Sequence, residues 1–503
     1  MSSNQEQQHR RSSCHFDRRT ETTHTTAFDP ATYAKRDSGM VLLFLTALLL
    51  VTPASGEDAG GEVPQNWAKT VYYNKTIHEP TTVEEVITIV DRHTRIKVLG
   101  SKHSFSNITK LPEPYSGAYI STLKMDKVLK CCRGERVTVQ PGITFGALGE
   151  YLHKRNFGLH NMASLPHITV GGAISTGTHG AGVFNGNLAS EVVQVKVVTG
   201  DAKVRTYRVG QDPEFQHIPV SFGLTGVIVE IELDIVQDYD IQQCIYEDLP
   251  LNTIDKSDYK TAFSSAYSFS MFTQYKNRRF TSIWAKYKLA KGRNGDEEST
   301  LIDCPMMNKR KPSTRKVHPL PGGNTAHVSG GIGANYKEPG YVGLPHFLMG
   351  SMPSHGEELQ SEYFVANFHF KDVLLEVFQH FEDNPHLYDI LYVSEFRFVD
   401  RDQLTLSPQN ILGPSIGFHF TWKKEFDQVV QALKGIEAIF KKYQGIPHLA
   451  KLFTLPGRYL EEQYGQRRLR AFQSFIAPLD PIKKFVNKFL QDLILLPTDK
   501  SDL

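Results

Sequence analysis

The residues with the clearest chemical potential sit in a few short stretches. "GSKHSFSNIT", residues 100–109, follows the apolar run "RIKVLG" through a glycine turn and presents His103 between Lys102 and Ser104. A turn can use Gly100, but it has no need of an imidazole, a side chain that is both nucleophile and proton carrier. Far along the chain, "SEFRF" carries Glu395 and Arg397, and "HFTW" carries His419 and Thr421. Within each pair the spacing is two, so an extended strand puts both side chains on one face. "PHLAK" adds His448 and Lys451. Four such groups lining one pocket would suit a ligand rich in hydroxyls, because each hydroxyl buried without a partner is costly. Glu395 and Arg397 could equally form an outward-facing ion pair.

Residues 158–186, "GLHNMASLPHITVGGAISTGTHGAGVFNG", form the most unusual stretch. A tight loop crossing under a sheet would account for Gly171, Gly172 and Gly177. The functional alternative is a phosphate site: glycines let a ligand approach the backbone, successive N–H groups make an anion nest, and Ser175, Thr176 and Thr178 add hydroxyl donors. The pattern is neither GxGxxG after a strand nor GxxxxGK[ST]. A second glycine turn, "SFGLTGVIVEI" from Ser221, can form the other wall. Two glycine-rich loops beside "GSKHS" suggest a large cofactor with a pyrophosphate. A histidine next to a flavin ring can become its covalent anchor by adding at the 8α-methyl group.

The elements that must position these groups alternate short strands and helices from about residue 65. "TVEEVITIVDRH" reads as a helix with acidic residues in its first turn. "RIKVLG", "AYIST", "RVTVQPG" and "GVIVEIELDIV" read as strands. "TFGALGEYLHKRN" reads as a helix closed by Gly158, and "VVQVKVVTGDAKVRTYRV" as two strands around a "TGDA" hairpin. From about 240 to 440 aromatics thicken. "SEYFV", "ILYVSEFRFV" and "SIGFHFTW" alternate as strands of an antiparallel sheet, after a loop rich in charge, Pro and Gly. The last 60 or so residues return to helical patterns.

Composition is ordinary for a globular chain of 503 residues, 40% hydrophobic and 22% charged; a net charge of +2 makes no bulk case for nucleic acid. Cys131 and Cys132 are adjacent, and neighbours rarely bridge; a longer-range disulfide involving Cys244 or Cys304 is open. There is no CxxC, and no metal site is expected. Residues 1–39 read as disordered. The apolar run 40–51 ends in Pro53 and small residues, the shape of a secretory signal (40–56), or an uncleaved anchor that would bring a membrane into play. The expected location is outside the cell or in the secretory lumen. Asn74 and Asn107 head glycosylation sequons.

In order along the chain, "GSKHSFSNIT", "GLHNMASLPHITVGGAISTGTHGAG", "SEFRFVDRDQLTLSP", "GFHFTW" and "PHLAKLF" closely resemble the alditol and xylitol oxidase family of the vanillyl-alcohol oxidase superfamily, relatives of the gulonolactone oxidases. The resemblance spans roughly residues 65–490. It implies an α+β fold: a two-lobed PCMH-type FAD-binding domain (62–240), a substrate domain with a large antiparallel sheet flanked by helices (241–440), and a segment (441–503) returning to the first domain. It implies FAD joined covalently through His103. The cofactor contacts would come from Gly100, Ser101, Lys102, Ser104, Ser164, Gly171, Gly172, Ser175, Thr176, Gly177, His179, Gly180, Gly226, Val227, His448 and Asn487. It further implies a polyol pocket drawing on Ser164, Glu395, Arg397, His419, Thr421 and Lys451. Among these Glu395, Arg397, His419 and Lys451 would be catalytic, and the small Ala163 would leave room for O2. The implied reaction oxidises a terminal primary alcohol and yields hydrogen peroxide. An aldonolactone oxidase is the alternative enzyme, and a flavoprotein without turnover the alternative class. Leu449 replaces the family's usual Trp, and the charged stretch 295–315 is an insert.

Overall fold

Thr82 begins the first helix of the computed structural model, which describes residues 63–111, 116–253, 263–291, 299–330, 336–351 and 356–495. Its hydroxyl accepts from the Glu85 N–H at 3.2 Å, and the Glu85 carboxylate accepts from the Thr82 N–H at 3.3 Å. This capping box contributes about 1 kcal/mol and fixes the helix Val83–Arg92 where the sequence places it. Val86 and Val90 on its buried face join a core with Ile96, Ile120, Val198 and Val227. The stretches 1–39 and 40–51, and the fates expected of them, lie outside the described residues.

Two small sheets carry the N-terminal half. One is parallel, in the order Ile77–His78, Ala118–Ser121, Ile96–Leu99. The other is antiparallel, in the order Val128–Cys131, Arg136–Val139, Val227–Asp234, Val192–Val198, Val204–Arg208. The hairpin around "TGDA" is present, with Val198 opposite Val204. The helix expected over "TFGALGEYLHKRN" spans Phe145–His153 but is capped at Lys154; Gly158 instead pairs with Val236 in a two-stranded ribbon.

The C-terminal half is dominated by an eight-stranded antiparallel sheet. Its order is Lys337–Pro339, Tyr239–Pro250, Arg279–Ala290, Ser268–Thr273, Leu391–Val399, Ser415–Lys423, Glu358–Ala366, Ile446–Pro447. Alternation gives this sheet two unlike faces. Phe396, Phe418, Phe420, Trp422 and Tyr363 form one core with the apolar stripes of the helices Phe370–Asp383 and Phe426–Lys442, through residues such as Val377, Phe381, Leu433 and Phe440. The intervening residues point the other way and carry the polar groups.

One cysteine pair departs from expectation, and the longer-range disulfide left open is present. Cys131 and Cys132 form a disulfide despite being neighbours. The pair lies at the end of the hairpin strand Val128–Cys131, where Cys132 has a φ of 147°. Cys244 and Cys304, with Cα atoms 5.9 Å apart, tie the stretch around Cys304 to the large sheet. The terminal segment packs on the N-terminal core through Leu460, Phe472 and Leu490, and Lys97 donates to the Phe485 carbonyl at 3.0 Å. Among the described residues no helix is long and apolar enough to cross a membrane.

Candidate active site

A cavity of about 490 Å³ opens between the glycine-bearing turns of the N-terminal half and the polar face of the large sheet, within the range of cofactor and small-molecule sites. The strand Ile96–Leu99 delivers the chain to Gly100, and Lys102 adopts a positive φ of 61° that re-aims the next residue. His103 then lies stacked on Trp67, ring centroids 4.4 Å apart, and its Nε2 meets His167 Nε2 at 2.7 Å. The loop is clamped from two sides. The Trp67 N–H donates to the Lys102 carbonyl (2.8 Å), and the Phe105 N–H to the Ala450 carbonyl (2.7 Å). Burial, with His167 alongside, pushes the His103 imidazole down to about 3, so it is the neutral, nucleophilic form at physiological pH.

The glycine-rich stretch folds into a seven-residue helix, Val170–Thr176, ended by Gly177 at a φ of 68°. A Cβ on Gly171 would stand 2.6 Å from that of Pro141, so glycine here permits helix and loop to touch. Gly223 needs its residue type for a φ of 75°, with open space where a Cβ would be. Ser175 and Thr176, expected to offer hydroxyl protons, donate them to the carbonyls four residues back, Gly171 and Gly172. The cavity is lined by Gly100, Ser101, Lys102, His103, Ser104, Ala163, Ser164, Gly171, Gly172, Ser175, Thr176, His179, Gly226 and His448. Gly177, Gly180, Val227 and Asn487 are not among its lining residues. Gly177 closes the helix. A side chain on Gly180 would collide with Asn161. Val227 points into the core. Asn487 caps the helix Lys488–Ile494 and donates to the carbonyls of Asn107 and Lys110, bracing the far end of the His103 loop.

On the sheet side Glu395, Arg397, His419, Thr421 and Lys451 all reach the cavity. Glu395 lies opposite His419 in register, and Val393 opposite Thr421. The Glu395–Arg397 pair is buried, not outward-facing. Arg397 donates to Ser164 Oγ at 3.2 Å, tying the two halves together, and its Nε is buried without a hydrogen-bond partner beside the cavity. Lys451 Nζ lies 2.6 Å from His419 Nδ1. An ammonium only donates, so His419 carries its proton on Nε2 and gives it to Thr421 Oγ1 at 3.1 Å. Burial and the neighbouring ammonium hold His419 down at about 4, and burial holds His448 at about 3. Leu449, the departure from the family pattern, packs into the N-terminal core, while its carbonyl accepts from Ser106 Oγ at 2.7 Å.

Several residues escaped the sequence reading. Glu362, fully buried on the strand Glu358–Ala366, pairs with Lys451 at 2.9 Å and with His179 Nε2 at 3.0 Å. His346 meets Glu395 at 2.7 Å, with the buried Lys286 ammonium 3.4 Å behind it. Burial alone would raise the Glu395 carboxyl, but Arg397 and His346 draw it well below the usual carboxylate range. Trp67 donates to Glu358 at 2.7 Å. The signal for Glu358, Gln360 and Glu362 is their spacing of two within a strand, the same signal that "SEFRF" gives.

The residues fit a flavin. Gly100, Gly172, Gly223 and Gly226 leave backbone exposed to the cavity. Ile108, Ala163, Leu165, Ile168 and Ile228 give it apolar walls, and Arg397 supplies a cation on its lining. Residues 75–208 match the FAD binding domain family, and residues 353–493 match D-arabinono-1,4-lactone oxidase. The chain is 32% identical to the alditol oxidase of a Streptomyces species across 85% of this chain and 98% of that one. It is 26% identical to the L-gulonolactone oxidase of Bos taurus, covering 85% and 97%. Cholesterol oxidase from B. sterolicum shares the fold, with a TM-score of 0.69 over 86% of this chain and 96% of that one at 12% identity. The chain therefore belongs to the alditol oxidase family of FAD-dependent oxidoreductases, in the vanillyl-alcohol oxidase superfamily, with the PCMH-type fold and the kinship to gulonolactone oxidases that membership carries.

Proposed function

We propose that this protein oxidises the terminal primary alcohol of a polyol such as xylitol or sorbitol to the aldose, with FAD held covalently by His103 and O2 reduced to hydrogen peroxide. Bound FAD supplies the hydride acceptor and the route of two electrons to oxygen. The chain's own residues bind and orient the alcohol and stabilise charge on its oxygen. Lys451 commits one N–H donor to His419 and lies in ion-pair contact with Glu362 at 2.9 Å, leaving donors for the cavity. The Arg397 guanidinium, on the cavity lining, adds a second cationic donor. Both favour developing alkoxide character over the neutral hydroxyl. Thr421, accepting from His419, has its own proton free to donate to a neighbouring hydroxyl. Glu395 Oε1 is engaged by His346, which leaves Oε2 to accept from another.

The observation that carries this reading is the continuous polar face formed by Glu395, Arg397, His419, Thr421 and Lys451, a set that alternates donors and acceptors as a chain of hydroxyls does. Ala163, buried on the cavity wall, supports oxygen as the acceptor because it leaves space beside the ring. The neutral His103, held between Trp67 and His167, supports the covalent anchor. The apolar run at 40–51 supports entry into the secretory pathway, where the protein would be secreted, lumenal or membrane-anchored. A lactone reading draws its support from the gulonolactone oxidase relatives. Peroxide-coupled turnover on xylitol and sorbitol against gulonolactone separates the two: faster lactone oxidation overturns the polyol assignment.

A further inference from the structure

We propose that Glu362 is a positioning residue that keeps Lys451 an ammonium and aims it at the reacting oxygen. Glu362 has no exposed side-chain surface, and its two oxygens face four nitrogen groups from four separate elements. Oε2 lies 2.9 Å from Lys451 Nζ and 3.6 Å from His419 Nδ1; Oε1 lies 3.0 Å from His179 Nε2 and 3.5 Å from Arg397 NH2. The Glu362 carbonyl also accepts from the His448 N–H at 2.9 Å, so the strand Glu358–Ala366 fixes the backbone three residues before Lys451 as well as its charge. A Cβ on Gly417 would come within 2.8 Å of Glu362 Oε1. The neighbouring strand is thus bare where the carboxylate lies.

The groups facing Lys451 are Glu362, His419, Arg397, Glu395, His179 and His448. Burial depresses the Lys451 amine, and Glu362 is the largest influence opposing that. His419 and His448 are neutral near pH 7. With Glu362 removed, Glu395 alone balances two cations and is already engaged by His346 and Arg397, so the cluster discharges at the more acidic of its two cations, the Lys451 ammonium.

This inference rests on the reading of Lys451 as a cation at the substrate oxygen, and its test is chosen to stand apart from turnover. Denaturation of the flavin-loaded protein is followed from pH 7 to pH 10 for wild type, Glu362→Gln, Lys451→Met and the double variant. In Glu362→Gln the lysine is expected to lose its proton at lower pH in the folded state than in the unfolded one. Folding then releases a proton, so stability rises with pH relative to wild type. The stability gap between Glu362→Gln and wild type should narrow as pH rises, and this narrowing should vanish in the Lys451→Met background. The alkaline limb of kcat/KM should move down by about one pH unit or more and return toward wild type in Glu362→Asp. If Glu362→Gln does not fold, Glu362→Asp against wild type carries the same comparison at reduced amplitude. A gap that stays constant with pH, or that narrows equally without Lys451, overturns the proposal and leaves Glu362 a packing residue. Absence of wild-type turnover on polyols overturns the functional reading and leaves the denaturation result intact.

Discussion

Replacing Lys451 by Met keeps the unbranched apolar stem and deletes the ammonium, with two separable consequences. The first is stability. At 2.9 Å from Glu362, with an effective dielectric of about 20, the pair attracts by about 6 kcal/mol. Desolvation of the fully buried Glu362 and the mostly buried Lys451 offsets part of that, and removing one partner of such a pair costs about 3–5 kcal/mol because the other is left unpaired. Adding Glu362→Gln should recover much of the loss, since no buried carboxylate then lacks its cation. The second consequence is catalytic. Deleting one of two cationic donors to a developing oxyanion costs about 100- to 1,000-fold in kcat, and nothing in the double variant restores it. Chemical denaturation measures the first effect. Peroxide release at saturating polyol, normalised to flavin content, measures the second. A Lys451→Met variant with full flavin and a kcat within about tenfold of wild type, ~1.4 kcal/mol of barrier, would refute the catalytic reasoning. Unchanged stability would refute the buried-pair reasoning.

His103→Ala should leave FAD releasable by acid precipitation, whereas the wild-type flavin stays with the pellet; covalent flavin in the variant removes the anchor assignment. Arg397→Lys should lower kcat/KM by about 100-fold, ~2.7 kcal/mol, measured as initial rates on the best polyol. The guanidinium reaches Ser164, the His179 carbonyl and two carboxylates within 3.5 Å, and a point-charge ammonium cannot hold that fan of partners. Cys244→Ser with Cys304→Ser opens a link across 60 residues of sequence. It should lower unfolding free energy by up to about 4 kcal/mol on the chain-entropy account, read by denaturant titration, with activity retained if the insert serves only to brace the sheet.

What the sequence determined by itself is local and periodic. The capping box at Thr82, the "TGDA" hairpin and the two-residue spacing of Glu395 with Arg397 and of His419 with Thr421 are each fixed by neighbours a few positions apart. Linear order therefore exposes them. The turn that presents His103 is legible for the same reason. Only the tertiary structure decided which distant groups meet. Glu362 belongs to a strand whose alternation is readable, yet its importance comes from Lys451, His179 and Arg397 arriving from three other elements. His346 acquires a role only because it is buried against Glu395, and Trp67 only because the chain before the first strand folds back over His103. Asn487 reads as a cofactor contact beside the family pattern, and only the fold shows that it also caps a helix, because a side chain's partners depend on which backbone the fold brings within 3 Å. Even the disulfide between Cys131 and Cys132, which their adjacency argues against, is seen only in the fold. Charge compensation in a buried site is a property of three-dimensional proximity, and it is what turns five separately legible motifs into one site.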